Sequence, residues 1–213
     1  MQFRMLTAIA MCAFLGAPAF PQTSEDLARA RDLYNGKKFQ EAETLLRRVL
    51  DAEPGNAEAG YWLGLSLLEL KRFDEAEETL RKAEQNRPEE SGAMPRIDMI
   101  RVGLARCYME RERLGEAQAA LDEAVRIKAD NPDAHFYRGM LEARRKDYAS
   151  SARSMDKVIE LDPKNAYAYY YAGLAYNQIK RPDLVVQRLQ TFLKLAPDAP
   201  EASKVQSLLR SIR

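Results

Sequence analysis

A chain of 213 residues with 33 Lys and Arg against 32 Asp and Glu, and a formal net charge of +1, has no general electrostatic pull toward phosphate backbones or anionic lipid. Non-specific nucleic-acid binding is therefore excluded, and any partner must be recognised by local surface shape. With 46% hydrophobic and 31% charged residues, abundant Ala, Leu, Glu, Arg and Lys, and no long alternating β-branched run, the composition is that of one soluble domain built almost wholly from helices.

The first segment differs in kind from the rest. Arg4 supplies a short positive start, Met5 to Leu15 is an almost unbroken apolar stretch, and Ala17-Pro18-Ala19 puts small residues at the two positions a signal peptidase reads. This predicts a secretory signal over residues 1–19, cut after Ala19, and an exported mature chain, periplasmic or secreted. A buried first helix or a membrane anchor are the competing readings. The stretch falls short of the roughly 20 residues a transmembrane helix needs, so no transmembrane segment is expected in the mature chain. A lipoprotein would use Cys12, but Met11 stands where a small residue is required and Cys12 lies inside the apolar run. Export removes Cys12 and leaves Cys107 without a disulfide partner; between Arg106 and Tyr108 on a predicted helix, that thiol is expected to be buried and inert.

After a short linker at residues 20–22, one period governs the chain. Small residues recur at Ala30, Gly64, Ala105, Gly139 and Gly173, at intervals of 34, 41, 34 and 34. A second series, Ala42, Ala76, Ala117, Ser151 and Val185, follows 12 residues behind with the same intervals. Prolines close units at Pro54, Pro88, Pro163 and Pro197, and the 75 residues from Pro88 to Pro163 are two periods plus an insertion of seven. Each unit carries two helical patterns: in the second, a helix over Ala57 to Leu70, a turn at Lys71-Arg72, a helix over Phe73 to Gln85 and a stop at Pro88. Two antiparallel helices that approach closely leave no room for a branched side chain at the crossing, which is the place for Gly64 and Ala76. Phe39, Phe73, Leu114 and Tyr148 beside the turns plug the pairs. Leu46, Leu80, Leu121, Met155 and Leu189 face the core from the second helices, followed three residues later by Val49, Ala83, Ala124, Val158 and Phe192.

Gly64, Phe73, Ala76, Ala83 and Pro88 at this spacing resemble the tetratricopeptide repeat family, whose unit is a helix–turn–helix of 34 residues. On that resemblance the chain has five units, 23–56, 57–90, 98–131, 132–165 and 166–199, with an insertion at 91–97 and a capping helix over 200–213. The implied fold is all-α, a right-handed superhelical solenoid of antiparallel helix pairs. Three departures stand out. Ala129 replaces the stopping proline of unit three. Arg138 and Glu142 occupy positions usually apolar, so the first helix of unit four is expected to pack less well. Unit five has Pro182 for the aromatic and enlarges its crossing to Val185 and Phe192. In the last segment Ala202, Val205, Leu208, Leu209 and Ile212 recur at helical spacing with Lys204, Gln206 and Arg210 opposite, as a cap over an open apolar end requires; a docking helix is the alternative.

The resemblance further implies a concave groove lined by the first helices. Mapped by family position, it holds Leu27, Arg31 and Tyr34 from unit one, Tyr61, Leu65 and Leu68 from unit two, and Val102, Arg106 and Met109 from unit three. Units four and five add Phe136, Met140 and Arg144, then Tyr170, Leu174 and Asn177. Aromatic, Met and Arg side chains of this kind dominate binding hot spots, although a first helix touched on several sides can hold the same residues as core. The lysine and asparagine clamp by which some members grip a terminal carboxylate is not matched. The insertion is a second candidate site or a spacer, with Met94 and Ile97 placed to cover the step between units. Tyr169 and Tyr176 are expected toward the core of their pair, and Tyr167, Tyr170 and Tyr171 toward the groove.

No catalytic constellation is legible. The single His135, between Ala134 and Phe136, reads as a packing residue, and no phosphate-cradling glycine loop occurs, so no catalytic, cofactor or metal site is expected. The expectation is a non-catalytic scaffold or adaptor for a protein or peptide partner in the cell envelope. A homo-oligomer assembled through the last repeat and cap is the alternative, and an accessory subunit of a pilus, secretion or outer-membrane assembly machine a narrower version.

Overall fold

A computed structural model describes residues 20–87 and 94–212. The expected signal over 1–19 with Cys12, the stop at Pro88, the end of unit two, the first part of the insertion and Arg213 lie outside the described residues.

The described residues form eleven α-helices and no strand: α1 Phe20–Asn35, α2 Phe39–Ala52, α3 Ala57–Glu69, α4 Phe73–Gln85, α5 Ile97–Glu110, α6 Leu114–Ile127, α7 Pro132–Arg144, α8 Tyr148–Leu161, α9 Ala166–Gln178, α10 Pro182–Leu195 and α11 Ala202–Ile212. Residues 20–22, expected as linker, belong to α1. The helices begin where the sequence can satisfy their free N–H groups. Asn56, Asn131 and Asn165 each accept a hydrogen bond from the alanine N–H three residues on, so the first helices of units two, four and five start alike. Within each unit the chain reverses through one left-handed residue, Lys37, Lys71, Glu112, Lys146 and Lys180, with φ between 56° and 63°. The N–H of the next residue then returns to a carbonyl five residues back, as from Arg72 to Leu67 at 2.9 Å and from Arg113 to Tyr108 at 2.8 Å.

Each helix packs against the next, and the first helices α1, α3, α5, α7 and α9 also touch in series, so successive pairs stack side by side. Small residues sit where expected: a Cβ on Gly64 would lie 2.5 Å from Leu80 Cγ, and one on Gly173 2.5 Å from Leu189 Cδ2. Leu46, Leu80, Leu121, Met155 and Leu189 are fully buried, as are Val49, Ala124, Val158 and Phe192, with Ala83 nearly so. On the second-helix side, ion pairs bridge units: Glu43 meets Arg72 at 2.7 Å and Glu77 meets Arg113 at 2.8 Å.

The departures resolve differently from one another. In unit four the polar side chains close a network: Arg138 donates to Ser154 Oγ at 3.3 Å and to His135 Nδ1 at 3.1 Å, and Ser154 donates to Glu142 at 2.7 Å. The buried His135 donates from Nε2 to the Ala129 carbonyl at 2.8 Å, so its interior placement is hydrogen-bonded as well as packed. In unit five the enlarged Phe192 is received by tyrosines, with Tyr170 at 5.1 Å and Tyr167 at 5.9 Å between ring centroids. Tyr170, assigned to the groove from sequence, therefore packs on the last core cluster together with Tyr169, Tyr176 and Val205. Met94, expected to cover the step between units, is 40% exposed. The cap α11 buries Ala202 and Val205 against α10 and turns Lys204, Gln206 and Arg210 outward.

Candidate protein-binding groove

Side chains from the first helices meet in three linked hollows. The first, of about 330 Å³, lies among α1, α3, α5 and α7, with Tyr34, Tyr61, Trp62, Arg106, Asp133 and Tyr137 in its lining. The second, about 380 Å³, shares Arg106 and Tyr137 with it and adds Leu68, Glu69, Phe73, Met109 and Met140. A third, about 390 Å³, begins at Met140 and runs between α7, α8 and α9 past Gly139, Tyr148, Tyr171 and Leu174. Neighbouring hollows share wall residues, Arg106 and Tyr137 between the first two and Met140 between the second and third, so they line up as a channel-like row across the first helices.

Arg106 is the hub of the first two hollows. Its guanidinium donates to Glu69, stands 5.2 Å from the centre of the Tyr137 ring, and is 19% exposed. Tyr34 and Trp62 meet at 5.3 Å with their rings tilted by 59°, and Tyr61 meets Trp62 edge to face at 5.4 Å, so Tyr34 and Trp62 line the opposite wall over Tyr61. Burial raises the phenol pKa of Tyr34, Tyr61 and Tyr137. Near neutral pH these walls present hydroxyl groups and ring faces, not phenolates. Asp133 keeps solvent contact at the mouth. Desolvation pushes its carboxyl above the usual range against the pull of Arg106, with Asp162 and Asp98 adding to the rise. Beneath, the buried Asp98 is gripped by Arg96 at 2.9 and 3.0 Å and by Asn131 at 2.8 Å. Desolvation would raise the Asp98 pKa, but these contacts outweigh it and hold the carboxyl low.

The third hollow is the more apolar. Phe136 and Tyr171 meet edge to face at 5.6 Å beside it, and Arg144 closes one end by donating to the Met109 carbonyl and, at 2.8 Å, to Glu110. Cys107 lies outside this chemistry: it is fully buried and its thiol is pushed up to about 12 by desolvation. Among the described residues, no group of three or more His, Cys, Asp and Glu could hold a metal ion, and no helix is long and apolar enough to cross a membrane.

The residues mapped from sequence divide by exposure. Tyr34, Arg106, Phe136, Met140 and Leu174 are part-open, whereas Tyr61, Leu65, Leu68, Val102 and Met109 are buried and form the floor. Leu27 is half-buried against the main core, Arg31 pairs with Glu58 at 3.2 Å, Arg144 and Asn177 are at the rim, and Tyr170 turns to Phe192. Trp62, Asp133 and Tyr137 were missed. A signal for them exists: Asp133, Tyr137 and Met140 follow one another at four and three residues, which is one helical face, and Trp62 and Tyr171 hold the place of Tyr137 in their own units.

The family described as "Tetratricopeptide repeat" matches residues 27–91, 102–165 and 146–200. The chain is a tetratricopeptide repeat protein. Its five helix pairs and capping helix are those of the family, a repeat that scaffolds protein–protein interaction. Among curated proteins it is similar to the phagocyte signaling-impaired protein of Drosophila pseudoobscura pseudoobscura, 25% identical over 164 residues. That match takes in 76% of this chain and only 16% of the fly protein, so the repeat chain spans about a sixth of that relative. Among solved structures it resembles TTC0263, a thermophilic TPR protein of Thermus thermophilus, with TM-score 0.72 and 21% identity over 89% of this chain and 98% of that one. It also resembles YrrB, described as a TPR protein with an unusual peptide-binding site, with TM-score 0.58 and 20% identity over 90% and 100% of the two chains. At these identities the structural likeness is one of fold.

Proposed function

We propose that this repeat protein is an adaptor whose channel takes a segment of another protein, and that it works in the cell envelope. The observation that carries the binding half is the row of hollows, where aromatic, methionine and arginine side chains stay part-open in neighbouring hollows that share wall residues. A contiguous part-exposed apolar surface is uncommon on a monomer without a use, and these are the residue types of binding hot spots. The fold likeness to YrrB supports a peptide as ligand. Tyr34, Arg106, Phe136, Met140 and Leu174 supply the contacts in this reading, over the buried floor.

Selection of a displayed dodecapeptide library on the immobilised full chain is the test. Enriched peptides should lose about tenfold or more in affinity, about 1.4 kcal/mol, on the Phe136→Ala, Tyr171→Ala double variant, with its melting curve showing a folded protein. Equal binding by both proteins would end the channel reading.

The envelope half rests on the sequence of residues 1–19: Arg4, the apolar run and Ala17-Pro18-Ala19. Fractionation of a Gram-negative expression host and intact-mass measurement should find the chain outside the cytoplasm and beginning at Phe20; an uncut chain in the cytoplasmic fraction would remove it. Self-assembly is the second reading, favoured by Leu195 at 42% exposure and by the half-open Leu208, Leu209 and Ile212 on the cap. A single monomeric species in sedimentation at micromolar concentration excludes it.

A further inference from the structure

The charges around the first hollow are not all paired. Arg106 is matched by Glu69 and lies over the Tyr137 ring. Arg96 is matched by the buried Asp98, and Arg31 at the entrance by Glu58. Asp133 remains. Among the described residues, no cation lies within ion-pair distance of its carboxylate and no donor within hydrogen-bond distance. It acts electrostatically on Tyr34, Tyr61 and Tyr137; of the charges that act on it, Arg106 attracts without touching it, and Asp162 and Asp98 add negative charge nearby. The opening therefore pairs an exposed carboxylate that has no ion-pair partner, and feels Arg106 only from beyond contact distance, with the part-open rings of Tyr34 and Trp62.

Ring faces carry the negative end of the aromatic quadrupole and attract a cation, the more so where water is partly excluded. A positive side chain entering here would have rings along its stem and a carboxylate at its head. An acidic side chain would find its one possible partner, Arg106, already bonded to Glu69, and would have to approach past Asp133. A neutral apolar side chain would leave the carboxylate desolvated without a partner, which is unfavourable.

We propose that the hollow among α1, α3, α5 and α7 selects a basic side chain, arginine or lysine, of the docked segment, with Asp133 as its counter-charge and Tyr34 and Trp62 as its walls over the buried Tyr61. This rests on the channel being the docking site. It adds a direction to it: the basic residue sits at the α1–α7 hollow, and apolar residues of the same segment lie toward the third hollow, past Met140.

The test uses full-length protein and the displayed dodecapeptide library, selected in parallel on the wild type, on Asp133→Asn, and on Glu78→Gln, which makes the same change of charge on an exposed side chain of α4 away from the hollow. Wild type and Glu78→Gln should yield peptides with arginine or lysine at one shared position at about threefold or more over its library frequency. Asp133→Asn should yield peptides without that preference while still folding, as judged by its melting curve. One selected peptide, remade with citrulline for its arginine, should bind the wild type about tenfold more weakly and Asp133→Asn within about twofold of the parent. Enriched peptides with no basic position, or a basic preference that survives Asp133→Asn, would overturn the inference and leave the channel standing as an apolar docking site. No enrichment on any of the three proteins would overturn the channel and this inference together.

Discussion

Gly64 and Gly115 carry opposite consequences for one substitution. A methyl at Gly64 would lie 2.5 and 2.7 Å from Leu80 side-chain carbons, with the Ala76 carbonyl at 3.5 Å, so Gly64→Ala overpacks the crossing and should cost about 1–3 kcal/mol. Gly115, in the first turn of α6, has nothing within 4 Å, and Gly115→Ala should stabilise by about 0.4–1 kcal/mol through the unfolded chain. Urea denaturation of both variants checks the signs. Glu69→Gln removes the charge that holds Arg106 and should destabilise by roughly 0.5–1.5 kcal/mol in the same urea series. His135 supplies a pH signature. Desolvation lowers its pKa against the bond to the Ala129 carbonyl, and the Arg138 charge adds to the lowering. A depressed pKa means that its stabilising share is full above the unfolded value of about 6.5 and is lost as pH falls through the folded value. His135→Gln should lose stability less steeply than wild type below about pH 6.5, in melting temperatures taken from pH 7.5 to 5.

The helices are marked in the sequence because their ends use local chemistry. Asn56, Asn131 and Asn165 begin three first helices by the same hydrogen bond, and the bounds expected for the second helix of unit two, Phe73 to Gln85, are those observed for α4. Asn131 does more than cap, since its side-chain N–H also donates to the buried Asp98 at 2.8 Å and ties the entry to α5 to the start of α7. Asn165→Ala should cost about 1 kcal/mol, the usual cap loss. Asn131→Ala should cost roughly 1–3 kcal/mol more, because a buried carboxylate loses one of its donors. Chemical denaturation of the two variants side by side reads the difference, and equal losses would remove the tie between α5 and α7 as a contributor. At the end of the insertion Arg96 pairs with Asp98 two residues on, where spacing alone shows only extra residues.

Across the whole molecule the array is a row of nearest neighbours, so stability belongs to interfaces between adjacent pairs. Among the described residues the backbone of the cap α11 comes close to α10 alone, whereas that of α5 comes close to α3, α4, α6 and α7. Hydrogen exchange on the full chain should find the amides of α11 opening first and those of α3 to α6 last. Uniform protection along the array would mean that it unfolds as one unit. The part-open channel belongs to this scale too, because it is bounded by four or more first helices and by no single repeat.

The sequence by itself determined the period, the helix pairs, the crossing residues and the second-helix core row, because each depends on spacing within one helix or across one short turn. The 34-residue interval repeats that local relation unit after unit. It also indicated which helices line the channel, through the family resemblance. Tertiary structure alone decided which side chains meet there. Tyr34, Trp62, Arg106, Asp133 and Tyr137 come from four helices, and their convergence depends on the rotation from each pair to the next. No local spacing encodes that rotation. For the same reason Tyr61 and Met109 sank into the floor, Tyr170 turned to Phe192, and Asp133 emerged at the mouth of a hollow as a carboxylate without a partner.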